Sequence, residues 1–454
     1  MDVKNLRTIA VLMVLALVAA ACATGDTAST ETTSAEAPDS DGIRVVRYLS
    51  QETAPNIVGV QRAMVAAFIE ANPGVDLVLE TADPSAITQK IATYLQAGAP
   101  LDVFMSDPGS AAQLASQGSL EPLDDVVEAL GGEDALQPGK VMRVDGTVYA
   151  FNITGATPTL LYRTDLFEAA GLEPPETWED LLEAARTLHS DEIAGIGLPG
   201  GGNRGTTIFA GQFLWQACGD FFNMEGEVTL DTPQAVEAVE FYAELLQYAP
   251  NEANSWGFSE GLESFAAGRS AMTINHRTLD VLYEIDPSLL DNAGIVALPA
   301  GKMRASQMGA RMIALLSTSE QKDAAKAWIV HMLSPDWQVA MAAESPQAYI
   351  PTTNAAAAAM SGSDSPRLQA YGDLLTEVSY PAREFAYAEV INLGGIDQEN
   401  CVLRETGIVN PYISLVHSSN VFSNAIQRVA YQGEDAGLVL ADAQAELEAL
   451  VADQ

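Results

Sequence analysis

Basic residues are scarce in this chain. Its 454 residues include 22 Lys and Arg against 61 Asp and Glu, which gives a formal net charge of −39 at pH 7. Proteins that bind nucleic acids neutralise phosphates with clustered Lys and Arg, so this composition argues against that class of function. The acidic excess instead predicts a solubilising surface. With so many carboxylates, two acidic residues close in sequence carry no information about catalysis.

The chain also has little of the chemistry that enzymes and metal sites use. It contains three Cys and four scattered His, with no CxxC and no His/Cys spacing typical of a metal site. Residues Gly195–Gly200 formally fit GxGxxG, but they follow a predicted helix, and Pro199 lacks the backbone donor that a phosphate cradle needs. Walker A and HExxH sequences are absent. The sequence therefore predicts no metal, no cofactor and no enzymatic activity.

The beginning of the chain has the composition of an export signal followed by a tether. Two basic residues precede an apolar run from Ile9 to Ala21, which is short for a membrane span. The stretch from Ala19 to Cys22 resembles a bacterial lipobox, although Ala19 replaces the usual Leu. An ordinary cleaved signal with an incidental cysteine is the alternative. The polar residues that follow predict a flexible tether. We expect a signal peptide over 1–21, a lipidated Cys22 with a tether over 22–42, and an extracytoplasmic protein anchored to the cell membrane.

Strand and helix patterns alternate along the next part of the chain. Runs at 43–49, 75–79 and 101–105 predict strands, and the segments between them have apolar residues at helical spacing. This alternation implies right-handed βαβ units and a parallel sheet, in which ligands bind beyond the carboxyl ends of the strands. The candidate ligand-binding residues at those ends are Gln51, Glu52, Ser106 and Asp107. An equal alternative for Asp107 is to cap the next helix, which begins with proline.

Several longer motifs follow one another in the order typical of a protein family. They include "FIEANPGVDLVLE", "DGTVYAFNI", "LLYRTDLFEAAGLEPPETWEDLLEAARTL", "FAAGRSAMTIN" and "DAAKAWIVHMLSPDWQ". Through them, nearly all of the mature chain resembles an extracellular solute-binding protein of an ABC importer, of the sugar-binding group that includes maltose-binding protein. The resemblance implies an α/β, periplasmic-binding-protein-like fold, in which two lobes joined by a multi-strand hinge close over a ligand cleft.

The resemblance also implies lobe boundaries and a function. Lobe 1 would comprise residues 43–152 and 297–334, and lobe 2 would comprise residues 153–296 and 335–454. The protein would be a monomer that captures a carbohydrate by hinge closure and delivers it to the ABC permease subunits. A sugar phosphate, a polyol phosphate or a polyamine is the alternative ligand. An exported glycan hydrolase or a sensor domain is the alternative function.

Sugar recognition needs aromatic faces for the ring and planar polar groups for the hydroxyls. The further candidates for ligand binding are Phe151, Trp215, Trp256, Asn275, His276, Arg277 and Arg311. The family often has aromatic residues where Ser106, Arg277 and Thr278 stand, so a doubly stacked, maltose-like ligand is not expected. If Arg277 and Arg311 face the cleft, they would favour an anionic sugar. Pairing of either arginine with a surface carboxylate is the alternative. Trp178 is predicted to pack in the core.

Cys218 and Cys401 remain after the proposed lipid-anchored cysteine. In an exported protein an isolated pair most simply forms a disulfide, with two buried free thiols as the alternative. The family usually has a Gly pair where Cys218 and Gly219 stand, and the segment 392–412 has no match in the family. We predict that a bridge from Cys218 to Cys401 ties this segment to the second lobe near the cleft.

Overall fold

The computed structural model describes residues 42–83, 86–137, 139–382, 386–387, 396–403 and 412–453. The predicted signal peptide, Cys22 and nearly all of the predicted tether lie outside the described residues, as does most of the segment 392–412. Within the described ranges, no helix is both long enough and apolar enough to cross a membrane.

Strands and helices alternate over most of the described chain. The strands are β1 (Arg44–Ser50), β2 (Val75–Thr81), β3 (Val103–Ser106), β4 (Val141–Val144), β5 (Thr147–Asn152), β6 (Thr159–Arg163), β7 (Met272–Asn275), β8 (Ala293–Ala297), β9 (Ser306–Gln307), β10 (Met312–Leu315), β11 (Ala386–Tyr387), β12 (Ile396–Asp397) and β13 (Val402–Leu403). The helices are α1 (Pro55–Ala71), α2 (Ile87–Ala97), α3 (Pro108–Ser116), α4 (Asp124–Ala129), α5 (Thr164–Ala170), α6 (Trp178–Leu188), α7 (Arg204–Gln216), α8 (Pro233–Leu246), α9 (Glu260–Ala266), α10 (Thr278–Ile285), α11 (Lys322–Met332), α12 (Pro335–Glu344), α13 (Asn354–Met360), α14 (Pro366–Tyr371), α15 (Ile413–Ser419), α16 (Val421–Gln432) and α17 (Ala436–Ala452). Short 3₁₀ turns cover Glu133–Ala135, Asn251–Ser255 and Pro287–Asn292, and a π-helical turn covers Leu374–Ser379.

The first sheet has six strands in the order β2-β1-β3-β10-β5-β4. β1 pairs in parallel with β2 and with β3, as the alternating sequence pattern predicts. β10 comes from a distant part of the chain and runs antiparallel to both β3 and β5. Its first residue, Met312, pairs with Ser106 and with Asn152, the last residues of those two strands. The residues just before β10 therefore lie at the carboxyl edge of β3 and β5, the edge at which open α/β sheets bind ligands.

Helices cover both faces of the first sheet. Trp328 of α11 is fully buried on one face, where its ring centroid lies 5.6 Å from that of Tyr48 and 5.3 Å from that of Phe68 in α1. On the other face, Phe104 packs in one cluster with Ile91 of α2 and with residues of α3. Strand side chains alternate between the faces, so both faces need an apolar layer of helices.

The second sheet has three strands, with β6 between β7 and β8 and antiparallel to both. Leu160 points into the cluster that contains Phe209 of α7, whereas its neighbour Leu161 points into the cluster that contains Leu279 of α10. This sheet is therefore also covered by helices on both faces, and the molecule has the two α/β halves that the sequence predicts.

The helices beside the second sheet begin and end as their sequence indicates. Thr177 and Asp180 form a complete capping box at the start of α6, and Gly171 ends α5 in the left-handed conformation at φ 69°. The ring of Trp178 stacks on Phe241 with centroids 4.2 Å apart, and its Nε1 donates to Gln216 Oε1 at 2.6 Å. These contacts confirm a packing role for Trp178.

Among the residues that the structure describes, the chain passes between the two sheets three times. The first passage joins β5 to β6 and the second joins β8 to β10. The third comes after α12, because α12 packs against α1, and Met341 and Tyr349 share a cluster with Trp328. Residues 335–344, which the sequence analysis assigned to the second lobe, therefore pack with the first sheet. The other predicted lobe boundaries stay a prediction.

Candidate functional site

Polar groups gather at the carboxyl edge of the first sheet. Asn152 ends β5, and its Oδ1 accepts hydrogen bonds from the backbone N of Thr154 at 3.0 Å, from Thr154 Oγ1 at 3.3 Å and from the backbone N of Arg311 at 3.2 Å. A single buried side chain therefore fixes the start of the first passage to the end of the second. This arrangement places Arg311 beside the end of β5.

Arg311 forms an ion pair with Glu52, which follows β1. The Glu52 side chain is 6% exposed and that of Arg311 is 34% exposed, so Arg311 is the more solvent-accessible member of the pair. Arg311 Nη1 also donates to Tyr349 Oη at 3.4 Å. Burial and then the charge of Glu52 raise the pKa of Tyr349 well above its usual range, so the phenol stays protonated. Glu52, Arg311 and Tyr349 thus form one hydrogen-bonded group.

The second sheet contributes an aromatic group. His276 follows β7, and its ring stacks on Phe258 with centroids 5.7 Å apart and an interplanar angle of 17°. Phe209 of α7 lies 5.3 Å from Phe258 and 5.9 Å from His276, between centroids. Phe258 is 44% exposed although it is large and apolar. Because two further rings support it, Phe258 presents a fixed aromatic face to solvent.

His276 is neutral at physiological pH. Burial lowers the pKa of His276 to about 4, and the hydrogen bond with Gln307 opposes this only partly. His276 Nε2 lies 3.2 Å from Gln307 Oε1, so with that oxygen as acceptor the ring carries its proton on Nε2. The backbone N of Gln307 in turn donates to Gln212 Oε1 of α7 at 2.6 Å. The imidazole of His276 is therefore uncharged and is fixed in position by its hydrogen bond with Gln307.

The segment around Gly309 lies next to both the polar group, which contains Arg311, and the aromatic group, which contains His276. The backbone N of Gly309 donates to the carbonyl of Ala156 at 2.7 Å, and Thr154 Oγ1 lies 3.4 Å from the carbonyl oxygen of Gly309. A Cβ at Gly309 would lie 3.0 Å from the Ala156 carbonyl oxygen and 3.6 Å from His276 Cδ2. His276 and Arg311 therefore lie close to the same short segment, and the candidate site spans both sheets at the hinge.

Neither predicted tryptophan belongs to this site. Trp215 is fully buried, and its Nε1 donates to Asp220 Oδ1 at 3.2 Å. Trp256 is 6% exposed, and its carbonyl accepts from Asn203 Nδ2 at 3.0 Å. Neither side chain offers a ring face to a ligand, so we correct both assignments to packing roles. Phe258, two residues after Trp256, supplies the exposed ring instead.

Arg277 is also directed elsewhere. Its Nε lies 3.4 Å from Asp280 Oδ2 and its Nη2 lies 3.2 Å from Glu284 Oε1, both on α10. Asn275, which precedes the group, uses its side chain to donate to the Phe258 carbonyl at 3.0 Å and to accept from the Arg277 backbone N at 3.2 Å. The alternative of carboxylate pairing therefore holds for Arg277, and Asn275 positions the Phe258 backbone.

The predicted strand-end residues differ in their roles. Asp107 caps α3, accepting from the backbone N of Ser110 at 3.0 Å and from Ser110 Oγ at 2.7 Å. Ser106 donates to the Asp107 carbonyl at 3.1 Å. Gln51 is 5% exposed, and Phe151 is fully buried in the core of the first sheet. Of the four strand-end loop residues, Glu52 is the one in direct contact with Arg311.

The structure contains a disulfide between Cys218 and Cys401. Cys218 has φ 70°, a conformation that favours glycine and matches the Gly that the family has at this position. Beside the bridge, Asp220 Oδ2 accepts from the backbone N of Ile396 at 3.4 Å. Through β11, which pairs Tyr387 with Gln307 in β9, the same part of the chain also reaches the neighbourhood of His276. The predicted disulfide is confirmed.

The described residues hold no group of His, Cys, Asp or Glu with the arrangement of a metal site.

The family model for bacterial extracellular solute-binding proteins matches residues 54–339, more than half of the chain. The chain belongs to this family. The family predicted from the sequence is therefore confirmed.

This solute-binding protein has similar relatives with stated ligands or roles. A putative ABC transporter periplasmic-binding protein of Escherichia coli, YcjN, is 26% identical over 68% of this chain and 74% of its own. A mannitol-binding protein of Pseudomonas aeruginosa is 27% identical over 60% of this chain and 65% of its own. The crystal structure of a solute-binding protein of Agrobacterium radiobacter in complex with ribitol has a TM-score of 0.70 at 22% identity, covering 90% of this chain and 98% of that one. The likeness confirms the predicted two-lobe, periplasmic-binding-protein-like fold.

Proposed function

We propose that this solute-binding protein captures an uncharged sugar or polyol in the cleft between its two sheets and delivers it to the transmembrane subunits of an ABC importer. The protein would act as a monomer. Lipidation of Cys22 would anchor it to the outer side of the cell membrane. The ligand would be released unchanged, because the protein supplies binding and closure but no chemical step.

The exposed ring of Phe258, held against His276 at the hinge, is the observation that carries this proposal. A sugar or polyol has apolar C–H faces that pack on an aromatic ring, and hydroxyls that need donors and acceptors within reach. Arg311, Tyr349 and Gln307 supply such polar groups near the same segment. The similarity to a mannitol-binding protein supports a ligand of this chemical class.

Glycan hydrolysis is a weaker candidate because it needs a carboxylic acid and a second carboxylate flanking one bond. At the described site Glu52 is held in an ion pair by Arg311, and Asp107 caps a helix. A polyamine is also disfavoured, because the Glu52 carboxylate is already paired with Arg311 and the Asp107 carboxylate accepts hydrogen bonds at the start of α3.

A thermal-shift screen against mannitol, ribitol, glucose, maltose, their phosphates and spermidine tests the ligand class. A ligand that binds only the folded state raises the melting temperature according to its concentration relative to Kd. We expect shifts with neutral polyols or sugars and recovery of the ligand unchanged after incubation. No shift with any neutral carbohydrate, or accumulation of hydrolysis products, would contradict the proposal.

Phe258→Ala tests the site itself. Loss of a stacked ring should weaken binding of the best neutral ligand by about fivefold, because aromatic stacking contributes about 1 kcal/mol. Leu438→Ala is the matched control, since Leu438 is 72% exposed and lies on α17. Equal affinities for the two variants in isothermal titration calorimetry would remove Phe258 from the site.

A further inference from the structure

The charge of Arg311 is balanced within the site. Glu52 pairs with the guanidinium directly, and its side chain is only 6% exposed. Water screens a buried carboxylate poorly, so its field reaches the space next to Arg311 with little loss. A ligand that contacts Arg311 therefore meets a neutral pair and not a free cation.

The other charged or titratable groups described near this pair are held by the fold, neutral or acidic. Lys140 is buried, and its Nζ donates to the carbonyls of Thr154 and Ile350 on two passages of the hinge. His276 is neutral at pH 7 because burial lowers its pKa to about 4. Asp107, at the end of β3, adds a negative charge to the same sheet edge. An anion bound here would therefore meet a paired Arg311 and a Lys140 whose ammonium already donates to backbone carbonyls of the hinge.

The same pair suits a hydroxyl group. A guanidinium has five N–H donors, and the ion pair and Tyr349 engage only Nη1, so other donors can reach a ligand oxygen. Glu52 also restricts where the guanidinium can point, because Arg311 is fixed at its backbone by Asn152 and at its tip by the carboxylate. Arg311 is thereby pre-organised as a donor to a neutral ligand.

We propose that Glu52 is a charge filter that keeps Arg311 available to hydroxyl groups and excludes phosphorylated and carboxylated ligands. This inference rests on the proposed function, since it concerns the ligand of the same cleft. It assigns the selectivity against anionic sugars to one buried carboxylate.

Isothermal titration calorimetry with matched ligand pairs tests the filter. The pairs are D-mannitol with D-mannitol 1-phosphate, and D-glucose with D-glucose 6-phosphate, each at low and at physiological salt. We expect the wild-type protein to bind the neutral member of at least one pair about 100-fold more tightly than its phosphate. Glu52→Gln should narrow that ratio at least tenfold, mainly through tighter binding of the phosphate. The gain should shrink as salt is raised.

Glu237→Gln is the matched control. It makes the same change in net charge and also breaks an ion pair, with Lys302, but on α8. Its ratio should equal the wild-type ratio. Glu52→Asp keeps the charge, so its ratio of affinities for the neutral ligand and the phosphate should stay within about threefold of the wild-type ratio. If Glu52→Gln and Glu237→Gln give the same ratios, or if the wild type prefers the phosphates, the charge filter is refuted.

The outcomes separate this inference from the proposed function. Failure of the wild type to bind any neutral carbohydrate counts against the proposed function, whereas the gain of phosphate binding by Glu52→Gln is measured independently of it. If Glu52→Gln does not fold, as judged by its melting curve without ligand, the wild-type preference within each matched pair decides. A wild type that binds both members equally contradicts the filter in that case.

Discussion

The buried imidazole of His276 makes the stability of the protein depend on pH. Its pKa is about 4 in the folded state, where burial opposes the charge, against 6.5 for an ordinary histidine. Between these values the unfolded chain binds a proton that the folded chain does not. The free energy of unfolding therefore rises with pH across this window. The stabilisation is complete above pH 6.5 and is lost as the pH falls toward 4.

The size of this effect follows from the pKa shift. A difference of about 2.5 pH units at about 1.4 kcal/mol per unit corresponds to about 3 kcal/mol. Other groups titrate in the same range, including Asp280, whose pKa burial raises and whose contribution therefore has the opposite sign. His276→Gln removes the imidazole and keeps an amide near Gln307, while the other groups stay. The difference between the two proteins isolates His276.

Urea unfolding from pH 4 to pH 7, followed by tryptophan fluorescence and by circular dichroism, measures this difference. Coincident transitions by the two probes are needed for the comparison, because a two-lobed protein can unfold in steps. We expect the stability advantage of the wild type over His276→Gln to be about 3 kcal/mol larger at pH 7 than at pH 4. A difference that stays constant within 0.5 kcal/mol across the range would refute the reasoning, as would an NMR titration of the His276 ring with a midpoint near 6.5.

Three further predictions follow from single contacts. Reduction of the disulfide, or the pair Cys218→Ser and Cys401→Ser, should lower the free energy of unfolding by about 2–5 kcal/mol, because the bridge closes a separation of 183 residues; equal urea midpoints with and without reductant would contradict this. Gly195→Ala should lower the free energy of unfolding by about 1–3 kcal/mol or prevent folding, since its Cβ would overlap the carbonyl of Ala185. Gly59→Ala has open space around the added Cβ and should raise the free energy of unfolding by about 0.5–1 kcal/mol. Trp215→Ala should lower the free energy of unfolding by about 3–5 kcal/mol in the same assay, because the ring is fully buried. The Kd of a neutral ligand should stay within about twofold of the wild-type value. A large loss of affinity in the folded variant would show that Trp215 contacts the ligand.

The first sheet was largely predictable because its information is local. Strand periodicity and helical periodicity alternate from Arg44 to Ser116, and the parallel pairing follows from that alternation. The entry of β10 between β3 and β5 was not predictable in the same way. Its four residues, Met312–Leu315, are apolar like many others, and nothing within them specifies their neighbours.

The candidate site was harder to predict for the same reason. Glu52 and Arg311 are 259 residues apart, so no spacing rule connects them. Arg277, by contrast, has Asp280 and Glu284 three and seven residues later on one helix, and this local signal favoured carboxylate pairing.

Residue type alone also failed to identify the exposed aromatic ring. Trp215 and Trp256 have the larger rings and the stronger association with sugar binding, yet both are buried. Phe258 lies between Gly257 and Ser259 in a loop, and a loop is where an exposed ring is more often found. Loop position was the available signal for Phe258.

The geometry of the site joins ligand binding to lobe closure. Asn152, at the start of the first passage, fixes the backbone of Arg311. Gly309, in the second passage, is in reach of Thr154 Oγ1 and lies beside His276. A ligand that contacts both Arg311 and the ring of Phe258 binds the two halves at once. It then favours closure only by its greater affinity for the closed arrangement over the open one. A micromolar affinity corresponds to about −8 kcal/mol, so contacts made only after closure can supply the few kcal/mol that a population shift needs. Small-angle scattering should therefore show a ligand-dependent contraction in the wild type that Phe258→Ala requires more ligand to reach.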